Sequence, residues 1–333
     1  MKKVLVTGGA GFIGSHVVKN LILKGAEVVV LDDLSGGSKE NIHPNAKFVK
    51  GSITNHKLVN KLFKKHKFDY VYHLAAYAAE GLSPFIKRFN YENNVIGSVN
   101  LINASITYNV KCFVFTSSIA VYGNQKMPVN EKCKKRPIDS YGIAKYTVEQ
   151  ELKQAKDQFG LDYIIFRPHN VYGINQNFND KYRNVIAIFI RNLIENKPIT
   201  IFGDGQQERA FTHVDSVAEV IAGSVINKEA YNKDFDVGSM NKTKIIDLAK
   251  IIIQQGGRSV DNYKIRFEEE RHEAKIAWSK NYRCKYHFDV NFEEVPLEIG
   301  IAELMYYAQN FVKFKKPKNM KLEIDKGFYE VWK

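Results

Sequence analysis

Thr7-Gly8-Gly9-Ala10-Gly11-Phe12-Ile13-Gly14 decides the fold of this chain. It follows directly on the apolar run Val4-Leu5-Val6 and opens residues 12–24, where Val17, Val18, Leu21 and Ile22 share one face before Gly25 ends the pattern. The first run reads as a buried strand, and the second as an amphipathic helix with a glycine cap. Gly8, Gly11 and Gly14 recur every third residue, giving G-x-x-G-x-x-G at a strand-to-helix turn. Missing side chains let the backbone approach a pyrophosphate, and the helix N-terminus offers it unpaired N–H groups and the positive end of the helix dipole. The next apolar run, residues 27–31, ends in Asp32, 18 residues after Gly14. A carboxylate there accepts hydrogen bonds from an adenosine ribose. With Asp33 beside it, it repels a 2′-phosphate, so the constellation predicts NAD rather than NADP.

Further strands are expected at 47–49, 69–74, 111–116 and 161–166, each a short apolar run bounded by turn residues and separated from the next by helical patterns. Strands alternating with helices make parallel β-α-β units and a sheet covered on both faces. Beyond residue 170 the rhythm changes. A helix is expected over about 183–196, ended by Pro198, then a strand at 199–202 and the turn Gly203-Asp204-Gly205. Further helices are expected near 216–226, 245–255 and 297–311. The chain therefore reads as α/β: a Rossmann doubly wound parallel sheet over residues 1–170, with a smaller mixed α/β substrate-binding lobe drawn mainly from 171–333. Some segments of the second part are free to return to the first. With no Pro- or Ser-rich linker between them, the two parts share a cleft in which a ligand binds.

The 333 residues are 44% apolar and 26% charged, which fits a soluble globular protein. No stretch approaches the roughly 18 to 20 uninterrupted apolar residues of a spanning helix, and the N-terminus is no signal peptide. A cytoplasmic protein with no membrane partner is expected. Cys112, Cys133 and Cys284 are odd in number and lack any C-x-x-C pairing, so reduced thiols and no metal site are expected. The formal charge is 49 − 36 = +13, but basic residues are spread along the chain, with clusters at 64–67, 132–136 and 313–321 lying between apolar patterns. These read as solvated faces rather than a nucleic-acid surface, and the same charge suits an acidic small substrate.

A second constellation is Thr116-Ser117-Ser118 at the end of the fifth strand, followed by Tyr141-Gly142-Ile143-Ala144-Lys145. Tyr141 and Lys145 are one helical turn apart on one face. A free tyrosine titrates near about 10. An adjacent ammonium and an oxidised nicotinamide both favour the phenolate, which makes the pair a candidate general base. His73, at the end of a buried strand, reads as a core histidine rather than a catalyst.

With these residues in place the chain resembles the extended short-chain dehydrogenase/reductases that act on nucleotide-diphosphate sugars, the NAD-dependent epimerases and dehydratases, and most closely the UDP-glucose 4-epimerases. The motifs are TGGAGFIG at 7–14, HLAA at 73–76, ENNVIGSVNL at 92–101, SSIAVYG at 117–123, YGIAK at 141–145, RPHNVYG at 167–173 and IFGDGQQERAFTHVDSVA at 201–218. The resemblance implies a catalytic set in which Ser118 bonds the sugar 4-hydroxyl, Tyr141 is the base, and Lys145 holds the nicotinamide ribose. It implies NAD contacts from Gly8, Gly11, Phe12, Ile13 and Gly14, from Asp32 and Asp33, from Ser52 and Ile53, and from Leu74, Ala75 and Ala76. Asn93, Ser117, Tyr141, Lys145 and Pro168 complete that set. Substrate contacts are implied from Ser118, Asn170, Asn184, Val185, Thr200 and Phe202. Arg209 and Arg271 are expected on the diphosphate, and Trp278, seven positions after Arg271, on the sugar. A homodimer is also implied.

Dehydratases of this branch carry an Asp-Glu pair after the hydroxyl residue, and the decarboxylating relatives keep a Glu; this chain has Ile119-Ala120. That favours a UDP-sugar substrate epimerised at C4, UDP-glucose and UDP-galactose being interconverted, over dehydratase, decarboxylase or keto-sugar reductase chemistry. A non-catalytic NAD-binding scaffold has no need of the Ser-Tyr-Lys set. The chain departs from the family pattern at Gly51-Ser52, where Gly-Asp is common, at Pro168-His169 and in residues 77–88.

Overall fold

The computed structural model describes residues 2–182, 185–271, 276–317 and 319–332. The first half runs β1 (Lys3–Thr7), α1 (Phe12–Leu23), β2 (Glu27–Asp32), β3 (Lys47–Lys50), α2 (His56–His66), β4 (Tyr70–His73), α3 (Lys87–Tyr91), α4 (Gly97–Thr107), β5 (Cys112–Thr116), α5 (Ser140–Phe159) and β6 (Tyr163–Pro168). Then follow β7 (Val171–Tyr172), α6 (Val185–Ile194), β8 (Ile199–Phe202), β9 (Glu208–Ala210), β10 (Thr212–His213), α7 (Val214–Gly223) and β11 (Lys233–Val237). The last elements are β12 (Lys242–Lys244), α8 (Ile245–Gln255), β13 (Ile265–Glu268), β14 (Ile276–Ala277), α9 (Tyr282–Phe288) and α10 (Leu297–Phe311).

Seven strands pair in the order β11-β6-β5-β4-β1-β2-β3, and every pairing is parallel. Side chains alternate across a strand, and here both sets are apolar. Val4, Val6, Val28, Val30 and Tyr72 pack in a core with residues of α1 and α7, while Leu5, Val29, Leu31, Val71 and Phe113 pack in a second core with residues of α2, α4 and α5. That double burial explains the near-continuous apolar runs of the sequence. The strand order reverses between β1 and β4, which opens a crevice at their carboxyl ends.

The seventh strand escaped the sequence pattern. β11 adds beside β6, with Asp236 opposite Arg167. Its Asp234 and Asp236 are neither apolar nor on a solvated face; both sit against the buried Arg167 guanidinium, Asp234 Oδ2 at 2.6 Å. A strand whose alternate positions are carboxylates paired inside the protein looks polar in sequence. α7 likewise packs on α1, so residues 214–223 and 233–237 lie with the first half of the chain.

Helices α6, α8 and α10 build a separate core with β8, centred on Ile190, Ile201, Leu248, Ile252 and Leu304. β9 lies between β12 and β14, and β8 pairs with β13. After α10 the chain returns toward the crevice. The Glu323 carboxylate accepts the backbone N–H groups of Arg88 at 2.7 Å and Phe89 at 2.9 Å, and the segment ends in an aromatic cluster with Leu82, Ile86, Tyr182 and Trp332. None of the helices among the described residues is long and apolar enough to cross a membrane.

Candidate active site

A single cavity of about 630 Å³ runs along the crevice from the glycine turn to the second lobe. At its first end Gly8 takes a positive φ of 74°. A Cβ there would lie 2.6 Å from the Ala75 nitrogen, and one at Gly14 would lie 2.0 Å from the Gly8 carbonyl oxygen. Only glycine lets strand, turn and helix meet so closely. The N-cap of α1 is Gly11, whose missing side chain supplies no capping bond, and the helical ladder starts with Ser15 N–H donating to the Gly11 carbonyl. The amides of the first turn are thus left for an anion. Both Gly11 and Gly14 line the cavity, so the turn fits the pyrophosphate of a dinucleotide.

At the tip of β2 the Asp32 carboxylate accepts N–H groups from Ala10 at 3.0 Å and Leu34 at 2.8 Å. Burial pushes its pKa up, against those two bonds and with help from Asp33. Each oxygen keeps a lone pair for a ribose hydroxyl. Asp33, Ser52, Ile53, Leu74, Ala75 and Ala76 line the same end. Asn93 lies in a single π-helical turn, residues 92–96, its amide donating to the Phe89 carbonyl at 2.9 Å. Such turns widen a helix locally and recur at functional sites.

The middle of the cavity is built by β5, the loop after it and the first turns of α5. Ser118 is extended (φ −158°, ψ 153°), and its Oγ accepts the Ala120 N–H at 3.1 Å. Asp139 caps α5 by accepting the Gly142 N–H at 2.8 Å. A Cβ on Gly142 would approach the Ala120 carbonyl to 2.7 Å, so glycine after Tyr141 lets the helix start press against the serine turn. The Tyr141 N–H donates to Ser83 Oγ at 3.0 Å. One turn on, Lys145 is only 3% exposed. Its ammonium donates to the Thr116 carbonyl at 2.8 Å and lies 5.7 Å from the Tyr141 ring centroid. Burial pushes its pKa down to about 7, opposed by the Glu149 carboxylate. Ser117, Ser118, Tyr141, Lys145 and Pro168 all line the cavity. A phenol, an ammonium and a hydroxyl in one enclosed space can move a proton to and from a bound alcohol.

His73 stands behind this wall with both ring nitrogens partnered, to Thr7 Oγ1 at 2.7 Å and Ser98 Oγ at 2.8 Å. Burial pushes its pKa well down. Ser117 Oγ donates to Glu149 at 2.6 Å, and Glu149 also holds Arg167 through two bonds of 2.8 and 2.7 Å.

The second lobe supplies the far end. Asn170, Val185, Thr200, Phe202, Arg209 and Arg271 all line the cavity. The Arg271 guanidinium lies 4.4 Å from the Phe202 ring centroid. Asn184 lies outside the described residues. Trp278 is the exception. It does not line the cavity: past β14, whose Ala277 pairs with Arg209, Ser279 bridges to Val129, the Trp278 carbonyl accepts the Val129 N–H and the Lys242 ammonium lies 5.8 Å from the indole. The other tryptophan, Trp332, does line the cavity, as do Tyr77, Phe89, Lys181, Tyr182 and Gln207. Sequence reasoning missed these; the one signal in reach was the aromatic group Phe328, Tyr329 and Trp332 in an otherwise polar tail.

A family model described as the NAD dependent epimerase/dehydratase family matches residues 4–238. The chain belongs to this family. Members modify nucleotide sugars with NAD, and the glycine turn and Asp32 described above fit that cofactor. A putative UDP-glucose 4-epimerase of Methanocaldococcus jannaschii is 36% identical over 319 residues, 92% of this chain and 98% of that protein. The UDP-glucose 4-epimerase of Thermotoga maritima, solved with UDP-glucose, superposes with a TM-score of 0.87 at 33% identity, covering 92% of this chain and 98% of that one. The UDP-N-acetylglucosamine 4-epimerase of Methanobrevibacter ruminantium, solved with UDP-N-acetylmuramic acid, gives 0.84 at 31%, covering 92% and 97%. The family relationship thus spans more than one sugar.

Proposed function

We propose that this epimerase/dehydratase family member inverts C4 of a UDP-hexose, interconverting UDP-glucose and UDP-galactose. The observation that carries this reading is the meeting of Ser118, Tyr141 and Lys145 in one cavity whose serine turn continues as Ile119-Ala120, without a carboxylate. Expelling a hydroxyl from the sugar needs an acid and a base beside it. Among the described residues, the carboxylates lining the cavity are Asp32 and Asp33 at the adenosine end and Glu80, whose side chain is exposed beside Gly81; none directly follows Ser118. Tyr141 takes the proton of the 4-hydroxyl, Ser118 bridges the two oxygens, and Lys145 holds the phenolate form by its charge. NAD supplies the acceptor and later the donor of a hydride at that carbon, so net redox is zero. Arg209 and Arg271 grip the diphosphate, about which the sugar turns to present its other face.

The test is incubation with a panel of UDP- and dTDP-sugars without added NAD, products resolved by NMR. UDP-galactose is expected from UDP-glucose. A 6-deoxy-4-keto product, or none, overturns the reading. Two further results are expected. Arg209→Leu and Arg271→Leu each raise KM for the UDP-sugar, by about 10-fold or more for loss of a charge-assisted bond of ~1.5 to 3 kcal/mol, without releasing NAD; an unchanged KM places that arginine outside the site. Calorimetry is expected to show weaker binding of NADP than of NAD, because the 2′-phosphate meets Asp32 and Asp33; equal affinities would contradict the role given to Asp32.

A further inference from the structure

Trp332 is one of the two tryptophans and, unlike Trp278, lines the cavity. It is 5% exposed and forms part of the cavity wall. Its ring is clamped by aromatic neighbours, with centroids 5.3 Å from Tyr182, 6.1 Å from Phe202 and 5.1 Å from Tyr329. The Arg271 guanidinium lies 5.5 Å from it, and Lys181 Nζ donates to its carbonyl.

Its seat in the cavity is Gly81. A Cβ on Gly81 would stand 3.0 Å from Cη2 of the indole, so the ring lies on this glycine. Two residues on, Ser83 accepts the Tyr141 N–H at 3.0 Å. The indole thus lies on Gly81 and beside Arg271, on the wall of the cavity that Tyr141 also lines. A sugar whose diphosphate is held by Arg271 and whose reacting hydroxyl faces Tyr141 has to run along this wall.

The wall is also stiff. Residues 319–332 are tied to the 77–88 segment by the Glu323 carboxylate on the amides of Arg88 and Phe89, by Glu323 N–H on the Phe85 carbonyl at 2.9 Å, and by the shared cluster of Leu82, Ile86, Phe328 and Trp332. Each element alone is a loop; locked together they make one packed surface.

We infer that Trp332, seated on Gly81 by the C-terminal segment, limits the size of the sugar this site accepts. The inference rests on the nucleotide-sugar reading above and adds the residue that selects among sugars. A substituent larger than a hydroxyl has to push against a packed indole, an overpacking cost of ~1 to 3 kcal/mol, which is about 5- to 160-fold in relative affinity at 1.36 kcal/mol per decade.

The test uses the full chain loaded with NAD and calorimetry with UDP, UDP-glucose and UDP-N-acetylglucosamine, on the wild type, Trp332→Ala and Trp332→Phe. The wild type is expected to prefer UDP-glucose. Trp332→Ala is expected to relax the preference for UDP-glucose over UDP-N-acetylglucosamine by about fivefold or more, with Trp332→Phe between the two and UDP alone reading any loosening of Arg271 that weakens all three ligands together. Should the alanine variant fail to fold, the phenylalanine variant decides by the same ratio. A ratio unchanged by the substitution, or equal weakening of UDP and both UDP-sugars, overturns the inference. Formation of UDP-galactose is scored separately, so loss of the 4-epimerase reading and loss of the Trp332 role give different results; a wild type that binds no UDP-sugar removes both.

Discussion

Tyr141→Phe is expected to lower kcat by about 10² to 10⁴-fold, the usual range for loss of a positioned base, while the protein keeps its fold and its NAD. The ring itself is buried and its removal is not at issue; phenylalanine fills the same space. What goes is the one oxygen that Lys145 is placed to charge. The Lys145 ammonium is held beside that ring by the carbonyl of Thr116, at the end of β5, at 2.8 Å, a contact independent of the phenol. The backbone bond from Tyr141 to Ser83 is likewise untouched. Steady-state kinetics with UDP-glucose, with NAD content read by absorbance after denaturation, checks both halves of the expectation. Activity near the wild-type level would remove Tyr141 from the chemistry.

The second large effect is on stability. Glu149→Leu is expected to destabilise the fold by ~3 to 5 kcal/mol, the cost of leaving a buried charge without its partner. Arg167 and Glu149 are both fully buried and joined by a bond of 2.7 Å. The neighbours cannot take over fully. Asp236 stands 3.7 Å from the guanidinium and already accepts the Tyr122 hydroxyl, burial pushing its pKa up, and Asp234 already bonds the guanidinium at 2.6 Å. Ser117 also loses its acceptor, next to Ser118 at the active site, so kcat falls as well. Urea unfolding gives the stability change. Glu149→Gln, which keeps one acceptor for the Arg167 guanidinium and gives up the charge, is expected to lose less than the leucine variant; a glutamine variant as unstable as the leucine one would contradict this account.

Much of the molecule was legible because its signals are local. The runs ending at Thr7, Asp32 and Thr116 are short, apolar and bounded by turn residues, and each forms a strand of the sheet. The glycine spacing at 8, 11 and 14 is imposed by contacts within a single strand-turn-helix unit, so it survives in sequence as a pattern. Tyr141 and Lys145 share a face because helical periodicity places them there. A count across irregular chain carries less, as at Trp278, which follows Ala277 opposite Arg209 yet does not itself line the cavity.

The sequence by itself determined the parallel sheet, the dinucleotide turn and the serine, tyrosine and lysine at the carboxyl end of the strands. These depend on neighbours within a few residues, where period, cap and turn chemistry operate. Only the tertiary structure decided that Lys233–Val237 closes the sheet, because its aspartates are satisfied by Arg167 some 67 residues earlier in the chain. Only the tertiary structure brought Trp332 onto Gly81. A contact between residues so far apart is fixed by burying apolar surface in three dimensions, and that process leaves no period in the sequence to read.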